Sequence, residues 1–203
     1  MAKIPYKKLP RKVIASGALV ALLGLGGAAH FINDMANLEG YVPEGYLDPV
    51  GIPTKCFGDT RDVVVGKEYT FEECARSLNE HAVELIIPLK KCIPDFPTLP
   101  EKTRAAFASF TYNAGPGAFC KSTVAKKVNA GDLVGACKRL GERGFYDTAR
   151  GKRLPGLVKR RQYESKMCLE GLREAGLASI VDIIDDNKAL ADAGGWENVC
   201  MVK

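Results

Sequence analysis

Two carboxylates and a hydroxyl stand at short intervals in one glycine- and proline-rich stretch of the chain. Glu39 is followed nine residues later by Asp48, and Thr54 comes six residues after Asp48. Hydrolysis of a glycosidic bond needs a protonated acid for the leaving oxygen and a second carboxylate that activates water or attacks the sugar. Glu39, at the end of a helix against an apolar lobe, could be kept protonated by desolvation, whereas Asp48 in a polar turn stays ionised. The Thr54 hydroxyl, which both donates and accepts hydrogen bonds, could hold a water beside Asp48. The alternative is that Asp48 only starts a turn with Pro49.

The sequence predicts a helix before this stretch and a small antiparallel sheet around it. The helix includes residues 33–38 and ends at Glu39-Gly40. Residues 41–70 carry Gly, Pro and β-branched residues in short runs, which is typical of short strands joined by turns. Turns are expected at Pro43-Glu44-Gly45, Asp48-Pro49 and Gly58-Asp59, and a strand end at residues 63–65.

Helices are predicted for the rest of the chain, from residue 70 onwards. Thr70 and Glu73 have the spacing of a capping box at the start of a helix that runs to about Lys91. Cys74 and Cys92 lie at its two ends, roughly 27 Å apart, so they cannot bond to each other. Further helices are expected from residue 99 through 112, at 122–129, at 132–141 and at 157–172, followed by a helical extension over residues 173–203.

An apolar segment without charged side chains, residues 13–32, follows a basic head at residues 1–12. A helix of 20 residues rises about 30 Å, enough to cross a bilayer core, and the cations place the head in the cytoplasm and the rest outside. Nine of the 20 residues are Gly or Ala, so a bilayer would hold this helix weakly. Three interpretations remain: a permanent anchor, a signal peptide cleaved near Gly27-Ala28-Ala29, and an uncut signal-anchor that later leaves the bilayer.

The seven cysteines all lie after this segment, at positions 56, 74, 92, 120, 137, 168 and 200. They form no CxxC pair, so zinc and redox motifs have little support. We expect no metal site and no cofactor. In an exported domain such cysteines form disulfides, because the compartment is oxidising. Seven is an odd number, and we expect Cys200, in the tail, to be the unpaired one.

The net charge of +5 is distributed unevenly. Residues 1–12 hold five basic side chains and no acidic one, and residues 121–162 hold 12 basic and 3 acidic side chains. A molecule polarised in this way can orient on an anionic polymer, although solvated helix faces are the alternative. Nucleic acid is not an expected partner, because an exported, cysteine-rich chain rarely meets it.

Several separated motifs make residues 37–172 similar to the phage-type lysozymes, glycoside hydrolase family 24. The first motif is Glu39-Gly40, Tyr46-Leu47-Asp48, Gly51, Thr54, Gly58 and Thr60. The later motifs are residues 110–115, residues 117–120, Ser122-Thr123, residues 129–132, and residues 156–161 with Glu164. The chain departs from many relatives after Gly58, where they have His and this chain has Asp59.

The resemblance implies an α+β, two-lobed lysozyme-like fold, with a small antiparallel sheet beside a larger helical lobe and a peptidoglycan strand in the cleft between them. A monomeric enzyme would hydrolyse the bond between N-acetylmuramic acid and N-acetylglucosamine with inversion. Glu39 would be the general acid, Asp48 the base or electrostatic partner, and Thr54 the residue that positions water. Asn113 would be a polar residue at the cleft wall, the alternative being a buried helix-capping Asn.

Residues 13–32 resemble the signal-anchor-release segments of exported phage endolysins. While they lie in the bilayer, the helix that carries Glu39, seven residues further on, would be pinned at the membrane surface. Release would then activate the enzyme, as a two-state switch biased by the membrane. The resemblance thus implies an endolysin in the periplasm of the bacterial host, first tethered to the inner membrane, that lyses the host at the end of infection.

Two other functions remain as alternatives. A lytic transglycosylase uses one acid and no water-activating carboxylate, and Asp48 and Thr54 argue against it. A membrane-tethered, non-catalytic module could bind the cell wall through residues 121–162. A Ser–His or Cys–His hydrolase has little support, because His30 lies in the apolar segment and His81 in a predicted helix, where we expect a structural role.

Overall fold

Helices make up most of the chain that the computed structural model describes, which is residues 6–48, 51–149 and 151–179. In chain order they are α1 (Gly17–Leu23), α2 (Leu25–Glu39), α3 (Phe71–Ile86), α4 (Leu89–Cys92), α5 (Glu101–Ala114), α6 (Pro116–Lys121), α7 (Thr123–Asn129), α8 (Leu133–Gly141) and α9 (Pro155–Glu174), with a 3-10 turn at Phe96–Thr98. The strands are β1 (Val42–Leu47), β2 (Pro53–Cys56), β3 (Thr148–Ala149) and β4 (Lys152–Arg153). They form two antiparallel pairs, β1 with β2 and β3 with β4. The predicted α+β architecture, a small sheet beside a larger helical lobe, is confirmed.

Helix α5 is the centre of the helical lobe. Phe107 and Phe110 are fully buried on it and pack against Phe119 of α6, with ring centroids 5.6 and 5.7 Å apart. Burial of one such side chain stabilises the fold by about 1.5–3 kcal/mol. Gly171 lets α9 approach α5 closely, since an added Cβ would lie 2.8 Å from the Thr103 amide nitrogen. Helix α5 also packs against α2, so it positions α2 and α9 relative to each other.

The predicted capping box at the start of α3 is confirmed. The Thr70 hydroxyl accepts a hydrogen bond from the Glu73 amide, and the Glu73 carboxylate accepts one from the Thr70 amide. The helix ends at Ile86, earlier than the expected Lys91. Pro88 explains the early end, because it has no amide hydrogen to donate to the carbonyl four residues before it. The predicted helices that correspond to α5, α7, α8 and α9 are also confirmed.

The sheet differs from the sequence prediction at two places. Residues 43–45 lie inside β1 and not in a turn, at an irregularity in the register between Val42 and Tyr46. Residues 63–65 lie in a loop and not at a strand end. This loop crosses β1 at Gly45, whose amide donates to the Lys67 carbonyl at 2.9 Å, and only glycine leaves room there for the Val64 carbonyl.

The turns expected beside Asp48 and at Gly58 are confirmed. The Gly51 amide donates to the Asp48 carbonyl at 2.9 Å, and Gly51 has a φ of +85°. Gly58 follows β2 with a φ of +86°. Both conformations are in the left-handed region that glycine adopts without strain.

The apolar segment 13–32 is bent in this structure and does not form the single 20-residue helix that was considered for a bilayer. Gly24, with a φ of +79°, separates α1 from α2, and the helix axis bends by 113° between them. Leu19, Leu23, Phe31 and Ile32 are fully buried in the core. In the part of the chain that the structure describes, no single helix is long and apolar enough to cross a membrane; the bent pair of α1 and α2 passes that test only when taken together.

The described part of the basic head, residues 6–12, lies against the body of the protein. The Lys7 amide donates to the Tyr41 carbonyl at 2.8 Å. The Arg11 guanidinium lies 5.3 Å from the centre of the Phe71 ring, so a cation–π contact holds it on α3. Residues 1–5 lie outside the described residues.

Three disulfides join six of the seven cysteines: Cys56–Cys74, Cys92–Cys120 and Cys137–Cys168. The prediction that Cys74 and Cys92 do not bond to each other is confirmed. The first disulfide joins β2 to α3, and the third joins α8 to α9. Cys200 and most of the extension predicted over residues 173–203 lie outside the described residues.

Candidate active site

Glu39 is the last residue of α2 and lies between α9 and the sheet. Gly40 ends the helix with a φ of +76°. The Oε1 atom of Glu39 accepts a hydrogen bond of 3.1 Å from Nη1 of Arg160, and the side chain is only 15% exposed. The Oε2 atom faces the turn after β2, where a Cβ added to Gly58 would be 4.0 Å away. The carboxylate therefore has a cation on one side and a glycine turn on the other.

Arg160 belongs to a nearly buried network of charges beneath Glu39. Its guanidinium also donates to the Ser109 carbonyl at 3.3 Å and to Oε1 of Glu164 at 3.4 Å. Glu164 is fully buried, and the same oxygen accepts hydrogen bonds of 2.6 Å from the Ser109 hydroxyl and from Arg161. Buried charges are tolerated only when they are paired and hydrogen-bonded. The sequence contained one signal for this network, the placement of two arginines three and four residues before a glutamate on one predicted helix.

The surroundings of Glu39 differ from the purely apolar lobe that was expected. The Arg160 guanidinium lies 3.1 Å from the Glu39 carboxylate and is itself nearly buried. Arg160 is thus placed to balance the negative charge that Glu39 would carry after it had given up a proton.

Asp48 and Thr54 lie together in the β1–β2 hairpin. Tyr46 pairs with Thr54, and side chains alternate along a strand, so Tyr46, Asp48 and Thr54 belong to the same face. The Asp48 carboxylate accepts a 2.8 Å hydrogen bond from the Ile52 amide, and the Thr54 hydroxyl donates to the Ile52 carbonyl at 3.0 Å. With its proton engaged there, the Thr54 oxygen keeps lone pairs that can accept a hydrogen bond from water.

Asp59 fixes the turn that follows β2 onto α3. Its carboxylate accepts 2.9 Å hydrogen bonds from the amide and Nε of Arg61, and another from the Ser77 hydroxyl. Arg61 in turn contacts Glu84 at 2.7 Å. Burial acts to raise the pKa of Asp59, but the hydrogen bonds from Arg61 and Ser77 outweigh it, so the pKa lies below its ordinary value. In the sequence, Asp59 stood out only because many relatives have His at this position.

His81 and Tyr112 lie beside the charged groups of the site. Their rings meet edge to face with centroids 5.2 Å apart. Burial and the nearby Arg61 lower the pKa of His81, against a smaller opposite effect of carboxylates that include Asp59 and Glu39. Burial, followed by the charges of Glu39 and Asp59, raises the pKa of Tyr112. Both rings are therefore within electrostatic reach of Glu39, a proximity that the sequence did not indicate.

Asn113 follows Tyr112 near the end of α5 and is exposed. The alternative of a buried capping residue is wrong, because Gly115 is the C-cap of this helix. The structure thus brings Asp48 and Thr54 onto one face, and places Glu39 against the turn that leaves the same hairpin.

Comparisons with known proteins point to one family. Residues 36–164 match the family described as phage lysozyme. The chain is 41% identical over 164 residues to a SAR-endolysin of Bacteriophage PS119, covering 78% of this chain and 90% of that protein. It is 36% identical over 165 residues to a SAR-endolysin of Enterobacteria phage P21, covering 79% and 96%.

Solved structures agree in fold. An endolysin from Escherichia coli O157:H7 phage FAHEc1 superimposes with a TM-score of 0.59 at 29% identity, covering 69% of this chain and 90% of that one. The active form of the P1 phage endolysin Lyz gives a TM-score of 0.61 at 22% identity, covering 76% and 93%, and at that identity the likeness concerns the fold alone.

Proposed function

Because the chain belongs to the phage lysozyme family, we propose that Glu39, Asp48 and Thr54 are its catalytic residues. The chain is a glycoside hydrolase of the lysozyme type and an endolysin that degrades peptidoglycan to lyse the bacterial host. The bond cleaved is the one between N-acetylmuramic acid and N-acetylglucosamine. The observation that carries the assignment of the acid is the position of Glu39, which lies against the charge network of α9 and opens toward the turn after β2.

Glu39 acts as the general acid. Protonated Glu39 donates its proton to the glycosidic oxygen, so the C–O bond breaks with a neutral leaving hydroxyl. The carboxylate that remains lies next to Arg160, at 3.1 Å, which stabilises the new negative charge. This electrostatic support costs little reorganisation, because Arg160 is held by Glu164 and Ser109 before the reaction.

Asp48 and Thr54 supply the water. The Thr54 hydroxyl is oriented by the Ile52 carbonyl, and its oxygen accepts a hydrogen bond from the attacking water. Asp48 accepts the second proton of that water as it attacks the sugar from the face opposite the leaving group, which gives inversion. Asn113, exposed at the end of α5 next to Tyr112, contacts the glycan at the cleft wall.

The catalytic assignment is tested by the loss of turbidity of bacteria whose outer membrane has been permeabilised. We expect the parent protein to clear the suspension and Glu39→Gln to bind the wall without clearing it. Mass spectrometry of the products separates hydrolysis from transglycosylation, since hydrolysis yields reducing ends and transglycosylation yields anhydro sugars. Anhydro products from the parent, or clearing by Glu39→Gln, would contradict the proposal.

The positively charged residues within 121–162 contribute binding to the anionic cell wall. Among them, Lys121, Lys126, Arg143 and Lys152 are exposed. Such charges raise the local concentration of enzyme on a polyanion, and salt screens them with a Debye length of about 10 Å at 0.1 M. We expect wall binding by Glu39→Gln to weaken as salt increases, while a salt-independent affinity would count against this role.

The apolar segment is a signal-anchor that is released without cleavage. The chain is exported to the periplasm with residues 1–12 in the cytoplasm and residues 13–32 in the inner membrane, and the domain at residues 37–172 becomes an active monomer after release. Leu19, Leu23, Phe31 and Ile32 are fully buried in the core of the folded protein, and each contributes about 1.5–3 kcal/mol relative to exposure to water. While these side chains lie in lipid, the core lacks them and α2 cannot bring Glu39 to Arg160.

Fractionation tests the membrane step. We expect uncleaved protein in the membrane fraction before the membrane potential is collapsed, and uncleaved, active protein in the soluble fraction afterwards. Protein that stays in the membrane and gains no activity on collapse of the potential would contradict the proposed release. It would not contradict the catalytic assignment.

A further inference from the structure

Glu101, the first residue of α5, contacts the break between α1 and α2. Its Oε2 atom accepts hydrogen bonds from the backbone amides of Gly26, at 2.8 Å, and Gly27, at 3.2 Å. Both amides are in the first turn of α2, where backbone donors have no partner within the helix. The N-cap of α2 is Gly24, which has no side chain to satisfy them. Glu101 therefore caps α2 from another element, with the negative charge that a helix N-terminus favours.

Arg104, one turn later on α5, binds the other side of the same break. Its Nη1 atom donates a 2.9 Å hydrogen bond to the carbonyl of Leu22, in the last turn of α1. Carbonyls at a helix C-terminus have no partner within the helix and attract positive charge. Two opposite charges three residues apart on α5 thus satisfy backbone groups of α1 and α2 at the break.

These backbone groups would bond to each other if the apolar segment were one continuous helix. In an α-helix the amide of each residue donates to the carbonyl four residues before it, so Gly26 would donate to Leu22. A segment within a bilayer must satisfy its backbone in this internal way, because lipid offers no partners. In the folded protein Glu101 has replaced Leu22 as the acceptor for Gly26, and Arg104 has replaced Gly26 as the donor for Leu22.

Three glycines make this approach possible. A Cβ added to Gly24 would overlap the Glu101 carboxylate, and one on Gly26 would lie 2.8 Å from Glu101 Oε2. A Cβ on Gly27 would lie 2.6 Å from the backbone carbonyl oxygen of Glu101. At Gly27 the neighbour is backbone, so only glycine allows this approach. At Gly24 and Gly26 the neighbour is the end of the Glu101 side chain, so an added methyl group would push the carboxylate away from the Gly26 amide that it binds. The remaining glycine of the segment, Gly17, has nothing within 4 Å of an added Cβ.

We propose that Glu101 and Arg104 form a docking site for the break at residues 24–27, and that this site captures the apolar segment when it leaves the membrane. The inference rests on the proposed release of residues 13–32. Gly24, Gly26 and Gly27 then have a second role besides weakening the hold of the bilayer. These glycines let the apolar segment replace its internal Gly26–Leu22 hydrogen bond with hydrogen bonds to Glu101 and Arg104. The segment then bends by 113°, and α2 packs in the core.

The experiment compares Gly26→Ala with Gly17→Ala in the full chain produced in a bacterial host. Both changes add one methyl group to the same apolar segment, so they alter its affinity for the bilayer and its helix propensity to a similar extent. After collapse of the membrane potential, the soluble fraction and its wall-clearing activity are measured. We expect Gly17→Ala to behave like the parent and Gly26→Ala to yield about tenfold less soluble, active enzyme, since hydrogen bonds to a charged group are lost. Equal effects of the two changes would overturn the docking site.

The contact between Glu101 and Gly26 can also be tested with a double mutant. Glu101→Ala should reduce the soluble, active fraction about tenfold, and adding Gly26→Ala to it should cause little further loss, because the carboxylate that the methyl group meets is already gone. Losses that simply multiply, or a Glu101→Ala protein that is released like the parent, would contradict the proposal.

A separate measurement distinguishes this inference from the release on which it rests. If the parent chain is not in the membrane before the membrane potential is collapsed, both the proposed release and the proposed capture are contradicted. If release occurs, hydrogen exchange of the Gly26 and Gly27 amides in the soluble protein tests the contact directly. We expect these amides to exchange about tenfold faster in Glu101→Ala and unchanged in Gly17→Ala, whereas equal rates in parent and Glu101→Ala would overturn the docking site.

Discussion

The carboxylate of Glu39, at the end of α2, accepts a 3.1 Å hydrogen bond from the guanidinium of Arg160, which lies 121 positions later in α9. Helix α2 begins in the apolar segment, so the same helix supplies core side chains and the proposed catalytic acid. The pair therefore links the position of that segment to the chemistry of the site.

Replacement of Arg160 by lysine should lower both stability and activity. A lysine ammonium cannot reproduce the planar guanidinium that contacts Glu39, Glu164 and the Ser109 carbonyl together. Breaking a nearly buried ion pair of this kind costs about 3–5 kcal/mol, which urea denaturation would measure. Lys159→Ala, which removes a neighbouring cation, is the control and should stay within about 0.5 kcal/mol of the parent. An Arg160→Lys protein as stable and active as the parent would contradict the assigned role.

Glu39→Gln should abolish hydrolysis while the fold is retained. Loss of a general acid reduces rates by about 10²–10⁴-fold, and the amide keeps an oxygen that can still accept from Arg160. The measurement is the clearing rate of permeabilised cells, with the denaturation midpoint as a check on folding. Glu44→Gln, an exposed change on β1, is the matched control and should retain full activity. A Glu39→Gln rate within tenfold of the parent would rule out Glu39 as the acid.

Asp59→Asn should destabilise the protein near neutral pH and less so in acid. The folded-state pKa of Asp59 lies below its ordinary value of 3.8, so the carboxylate contributes stability above that value and loses it as pH falls through the lowered pKa. The difference in unfolding free energy between parent and variant should therefore be largest at pH 5–7, about 1–2 kcal/mol, and shrink below about pH 3. Asp62→Asn, an exposed change nearby, should show no such trend. A difference that stays constant from pH 7 to pH 2.5 would refute the explanation.

Removal of two of the disulfides should separate stability from catalysis. Cys56→Ala with Cys74→Ala frees the end of β2, next to Thr54, from α3, and Cys137→Ala with Cys168→Ala frees α8 from α9 away from the hairpin. Each pair of changes should lower stability by about 3 kcal/mol. At temperatures well below unfolding, only the first should reduce kcat, because only it loosens the strand that carries Thr54. Equal kcat values for the two variants would show that this disulfide does not position the site.

The sequence alone determined the local elements and the identity of the candidate residues. The capping box of Thr70 and Glu73, the helix that ends at Glu39 and the glycine turns after Asp48 and Thr54 depend on hydrogen bonds within a few residues, so their spacing shows them. The family resemblance supplied the candidate roles of Glu39, Asp48 and Thr54, and the length of the predicted helix between Cys74 and Cys92 excluded a bond between them.

The tertiary structure decided the rest, because those features join residues that are distant in the chain. The network of Arg160 and Glu164 beneath Glu39, the attachment of Asp59 to Ser77 and the pairing of six cysteines all join separate elements. The apolar segment shows the difference most directly. Its composition fits a single membrane helix, yet in the folded protein Glu101 and Arg104 satisfy the backbone at Gly26 and Leu22 and the core buries Phe31. A backbone hydrogen bond can be made within one helix or with a neighbouring element, and only the packing of the whole chain selects between them.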